Sequence, residues 1–168
     1  MVSDNAEMNI RPARQDDLDN LWNFLALAAF EPDAAAARAL PVVAAHLQGW
    51  RRPTDFGVIA ELDGDPVGAA WARQLGEQGN PFYVDDRTLE ISVAVRPDAR
   101  GRGIGTALVR ALMDAAKSRG VGLCLNVRET NPAFRLYERL GFWRVPGWEV
   151  RNRTGTLSIG MVLDVAAR

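Results

Sequence analysis

The densest run of chemically useful positions is Arg100-Gly101-Arg102-Gly103-Ile104-Gly105-Thr106. It falls between a predicted strand and a predicted helix. Glycine lets the backbone take positive φ and come close to an anion, and a helix start presents unpaired N–H groups at the positive end of its dipole. The chemistry this allows is main-chain binding of a phosphate or pyrophosphate. On the glycines alone, a softened turn with no ligand stays open. Two nucleotide motifs fit poorly. A Walker A loop needs a lysine before its hydroxyl residue, and Gly105-Thr106 has none. A dinucleotide fingerprint starting at Gly101 would need glycine or alanine where Thr106 stands.

A second stretch carries the reading further. The pattern Arg100-x-x-Gly103-x-Gly105 resembles the acyl-CoA pyrophosphate loop of the GCN5-related N-acetyltransferase superfamily: Gln or Arg, two residues, Gly, one residue, then Gly or Ala. Asn131-Pro132-Ala133-Phe134-Arg135-Leu136-Tyr137-Glu138-Arg139-Leu140-Gly141-Phe142 is similar to that superfamily's other hallmark, N-x-x-A-x-x-x-Y-x-x-x-G-F. One departure is that Ala133 follows Asn131 by two residues rather than three, with Phe134 in the third place. The resemblance runs from Leu89 to Phe142 and extends beyond only by topology.

The resemblance implies an α/β fold with a mixed, mostly antiparallel, splayed sheet of six to seven strands and about four helices. It also implies acetyl-CoA-dependent transfer of an acetyl group to a primary amine of a small molecule, amino acid or peptide, directly within a ternary complex. On the cofactor side it implies that the main chain of Val93, Ala94 and Val95 pairs with the pantetheine arm. The backbone of Arg100 to Thr106 would take the pyrophosphate, with charge-assisted help from Arg100 and Arg102. Asn126, Asn131 and Phe134 complete that side. Tyr137 matches the family tyrosine whose phenol protonates or hydrogen-bonds the departing thiolate, and the Val93 N–H would polarise the thioester carbonyl.

A primary amine with a pKa near ~10 must lose a proton before it attacks. Glu90 is the candidate base, on a strand face shared with Ser92 and directed either to a cleft or to solvent; a salt-bridged edge carboxylate is the other reading. Some relatives place a carboxylate where this chain has Asn126, and an amide cannot accept that proton. His46, at the end of an alanine-rich helix, reads as a cation favouring the dipole rather than a catalyst. Cys124, between Leu123 and Leu125, reads as core. Trp22, Trp50 and Trp71 would line an acceptor pocket or simply pack.

These groups need elements to hold them. Asn9 to Ala13 reads as a strand, and Asp16-Asp17 opens an amphipathic helix through Ala28. Asp33 to Gln48 is helical with a break at Pro41. Phe56 to Leu62 and Pro66 to Gln74 form a hairpin turned by Asp63-Gly64-Asp65. Gly76 to Asp86 reads as a mobile loop, and Leu89 to Val95 is the clearest strand by alternation. Gly103 to Arg119 is a helix stopped by Gly120, and Val121 to Arg128 a strand. Pro132 to Leu140 is a helix capped by Asn131. Phe142 to Arg151 and Thr156 to Val165 form a last hairpin turned at Asn152 to Gly155.

Composition closes off other classes. The 168 residues carry net charge −1 and are 48% hydrophobic, which suits one domain over 1–168 with a sizeable core. The absence of a net positive field disfavours nucleic acid as partner. One cysteine allows no internal disulfide and no multi-cysteine metal site, so no metal is expected. No apolar run of signal or membrane-span length appears, and a reducing cytoplasm is the expected setting. Edge pairing of the terminal hairpin would give a homodimer. The alternative to an enzyme is a non-catalytic CoA-binding sensor or interaction module.

Overall fold

Alternating apolar residues make strands here, and three-to-four spacing makes helices, in the order the sequence suggests. The computed structural model describes residues 3–164. Its strands are β1 (Met8–Pro12), β2 (Phe56–Leu62), β3 (Asp65–Arg73), β4 (Thr88–Val95), β5 (Gly122–Arg128), β6 (Trp143–Arg151) and β7 (Leu157–Leu163). Its helices are α1 (Leu18–Ala28), α2 (Ala34–Ala39), α3 (Pro41–Ala44), α4 (Gly76–Gly79), α5 (Ile104–Arg119) and α6 (Ala133–Arg139). The strands run in the order β1-β2-β3-β4-β5-β7-β6. β1–β2, β2–β3, β5–β7 and β6–β7 pair antiparallel, and β4–β5 pair parallel over Thr88↔Gly122 to Glu90↔Cys124. This is the mixed, mostly antiparallel α/β sheet expected. The helix number differs from about four: Pro41 lacks the N–H a continuous helix needs, so the alanine-rich segment divides at Leu40 into α2 and α3. The remaining addition is the single turn α4.

Two units divide the chain. The first holds residues 3–73 and 92–115, and the second holds 74–91 and 116–164. In the first, Asp63 (φ 49°) and Gly64 (φ 81°) make the tight turn between β2 and β3. The apolar face of α1, with Leu21, Trp22, Phe24 and Leu25, packs with Leu47, Ile59 and Trp71. Trp22 and Trp71 are therefore core. Arg73 and Asp55 form a bidentate ion pair at 2.7 and 3.0 Å, 1% and 0% exposed at their side chains. Arg73 also donates to the carbonyls of Ala45 and Gln48, so one guanidinium ties the loop after α3 to the sheet. His46 sits beside it. Burial, with the Arg73 charge, pushes its pKa down to about 4, so it is neutral rather than the dipole-matching cation its position suggests.

In the second unit β7 pairs with both β5 and β6. The predicted mobile loop is anchored: α4 occupies its start, and Asn80 and Phe82 are buried at 3% and 2% exposure. The Asn80 carboxamide accepts from the Phe82 N–H at 2.8 Å and donates to Cys124 Sγ at 3.6 Å. The last strand ends at Leu163; its expected terminus, Val165, lies outside the described residues. No described helix is long and apolar enough to cross a membrane.

Candidate functional site

The glycine loop belongs to the first unit. Gly101 and Gly103 have φ of 78° and 77°, a region that L side chains avoid. A Cβ at either would meet nothing within 4 Å, so the backbone there borders open space. α5 follows at Ile104, and the first N–H groups of a helix have no carbonyl four residues back to donate to. Ile104 is buried and pins the helix start, while Gly105 and Thr106 are half-buried. Together these features form an anion-receptive helix terminus. Beside it, the Arg100 Nε–H donates to the Val95 carbonyl at 3.1 Å. The Arg102 guanidinium donates to the Ser3 carbonyl at 2.8 Å and lies 3.7 Å from Asp4, a pairing that local sequence gives no means to foresee.

The strand preceding the loop is set by another glycine. A Cβ on Gly68 would stand 2.9 Å from the Ala94 carbonyl, so only glycine lets β3 approach the end of β4 this closely. The Arg96 N–H then donates to the Val67 carbonyl at 2.7 Å. Val93 and Val95 are half-buried and Ala94 is buried.

Glu90 lies in the second unit and is only 5% exposed. The solvent-facing alternative is corrected: β4 is buried at Leu89, Glu90 and Ile91 alike, so alternation does not bring Glu90 to the outer surface. Its Oε1 accepts from Asn126 Nδ2 at 2.7 Å. Burial raises its pKa from the ordinary 4.5 to about 7, and the Asn126 bond partly opposes the rise. A carboxyl poised there both accepts and releases a proton near neutrality. Cys124, the partner of Glu90 across β4 and β5, is buried and its thiol is pushed up to about 12 by burial and by Glu90, so it is inert packing.

Tyr137 on α6 is buried against Phe142, ring centroids 5.7 Å apart at 63°. Burial raises its phenol pKa to about 12, so it keeps its proton at neutral pH. Among the described residues no hydrogen-bond partner takes that hydroxyl. α6 begins at Ala133 with Pro132, not Asn131, at its cap position; Asn131 lies one residue earlier, and its Oδ1 accepts from the Ala133 N–H at 2.9 Å. Phe134 is half-buried on the first turn. Trp50 Nε1 is a buried donor without a protein acceptor. No group of three described His, Cys, Asp or Glu residues is placed to hold a metal ion.

Sequence reasoning missed Gly160, the strand partner of Asn126, and Phe82 and Trp148, which meet over it. The Gly160 Cα pairs with that of Asn126. A Cβ there would stand 2.6 Å from a Phe82 ring carbon and 2.7 Å from a Trp148 ring carbon. The one available signal was Pro146-Gly147 inside a predicted strand, which marks an interruption of pairing.

The profile of the acetyltransferase (GNAT) family matches residues 18–142. The chain belongs to this family. It is 36% identical over 110 residues to an uncharacterised N-acetyltransferase of Methanocaldococcus jannaschii, covering 58% of this chain and 45% of that one. It is 38% identical over 106 residues to the [ribosomal protein bS18]-alanine N-acetyltransferase of Salmonella typhimurium, covering 58% and 67%. The chain thus spans less than half of the archaeal relative and two thirds of the bacterial one. Among solved structures it is similar to yncA of Salmonella typhimurium, determined with its cofactor acetyl-CoA, at 23% identity and a TM-score of 0.66, over 96% of this chain and 95% of that one. That likeness establishes the fold.

Proposed function

We propose that this GNAT-family chain is an N-acetyltransferase that moves the acetyl group of acetyl-CoA to a primary amine of a small molecule, amino acid or peptide. The observation that carries the cofactor reading is the pair Gly101 and Gly103, held at positive φ with open space before them at the start of α5. Side chains there would fill the volume a pyrophosphate needs, and the free amides of the helix start would hold it. The similar protein solved with acetyl-CoA agrees with this choice of ligand. The Salmonella relative's name gives an alanine of a ribosomal protein as acceptor, which keeps peptides among the candidates.

In this reading acetyl-CoA supplies the activated thioester. The Glu90 carboxylate takes a proton from the acceptor ammonium, and the freed nitrogen attacks the carbonyl carbon. The Val93 N–H stabilises the oxyanion. As the C–S bond breaks, Tyr137 would give its phenolic proton to the thiolate, and the second proton shed by the acylated nitrogen would return the Tyr137 phenolate to its neutral form. Asn126 holds Glu90, since it cannot itself serve as the base.

Thermal unfolding with and without acetyl-CoA tests the reading, with ATP and NAD as controls. A ligand at a hundred times its Kd stabilises the native state by about 2.7 kcal/mol, a rise of roughly 5–10 °C for a chain of this size. A rise with acetyl-CoA alone, followed by amine-dependent CoA release, supports it. A rise with no amine acetylated leaves a CoA-binding module, and no rise removes the cofactor.

A further inference from the structure

We propose that Phe82 and Trp148 form an aromatic wall of the acceptor site beside Glu90, selecting primary amines that carry a flat apolar group. This deepens the acetyl-transfer reading and rests on it. The wall is built by a break in the last hairpin. β6 pairs with β7 at Arg144↔Met161 and again at Glu149↔Ile159, so four residues of β6 stand opposite Gly160 alone. Pro146 offers no N–H to the ladder, and Gly147 turns the chain at φ 81°. The bulge carries Trp148 over Gly160, where its ring meets Phe82 at 5.6 Å between centroids and 35° between planes. No residue but glycine leaves room beneath the two rings. Asn80 fixes Phe82 from the other side through the Phe82 N–H.

The position of the wall gives it a role. Gly160 and Asn126 are direct partners across β5 and β7, and such partners place their side-chain directions on one face about 5 Å apart. Asn126 is exposed and its amide touches the Glu90 carboxylate. A group that reaches Glu90 past Asn126 therefore runs alongside the rings. Phe82 is buried, but Trp148 is only half-buried, so the indole keeps a free surface for a planar substituent to stack on. Packing alone would not require a three-residue excess in the strand to hold an indole half in water.

The test is calorimetric binding of 2-phenylethylamine and of ethanolamine to the full chain saturated with CoA, with acetylation of both amines measured in parallel. The wild-type protein should bind 2-phenylethylamine about tenfold more tightly, a stacking-sized preference. Trp148→Ala should bring the two affinities together, and Trp148→Phe should restore most of the preference. Should Trp148→Ala fail to fold, Gly160→Ala carries the test, because its methyl displaces both rings and should likewise reduce the preference. Equal affinities in the wild type, or a preference that survives both substitutions, overturn the proposal. A preference that behaves as expected while neither amine is acetylated refutes the transfer reading instead.

Discussion

Glu90→Gln isolates the free energy stored in the buried carboxyl. Glu90 titrates near 7 in the fold instead of at its ordinary 4.5, so its charged form costs the native state roughly 3 kcal/mol. Between those pH values the native chain holds a proton that the unfolded chain has released, so this residue makes the protein less stable as pH rises from 4.5 to 7. Below the window both states are protonated and the penalty is absent; above it the penalty is complete. Glutamine keeps an oxygen for the Asn126 amide and carries no charge. Urea denaturation of both proteins at pH steps from 4 to 8 should show the variant gaining on the wild type by roughly 3 kcal/mol across the window. In the same proteins, kcat/KM should climb with a midpoint near 7 in the wild type. The variant should keep only the acceptor's own titration near ~10. A stability difference that does not change with pH would refute the burial argument, and a wild-type rate limb retained in the variant would remove Glu90 as the base.

Tyr137→Phe keeps the ring against Phe142 and deletes a hydroxyl that no described residue holds. It should lower kcat about a hundredfold and leave acetyl-CoA affinity unchanged; full turnover would remove the acid role. Gly103→Val forces a β-branched residue to φ 77° and fills the open space before α5. Its acetyl-CoA-dependent thermal shift should vanish, and a retained shift would make the loop merely structural. Asp55→Ala leaves the Arg73 guanidinium buried without its counter-ion and should cost about 3–5 kcal/mol in chemical denaturation; a loss below ~1 kcal/mol would mean that water reaches the site.

The glycine loop, the helix it opens and the stretch from Asn131 to Phe142 were legible in the sequence. Their signals are local: a glycine run between a strand and a helix, Asn131-Pro132 at a helix start, and alternation in Leu89 to Val95. The break at Pro41 was equally local, since a missing N–H acts on its own helix. The anchoring of Gly76 to Asp86 was not, because Asn80 and Phe82 are fixed by Cys124 and Trp148, far along the chain.

What the sequence alone determined is therefore the order of elements, the family resemblance and the residue types available for the chemistry. Only the tertiary structure decided their states and company. The Glu90 carboxyl came to titrate near 7 because pairing buried it against Asn126. His46 lost its charge because it was buried beside Arg73. Trp148 came to lie over Gly160 because the β6 ladder skips four residues. Burial and long-range register set these outcomes, and both arise from contacts between residues that no short window of sequence contains.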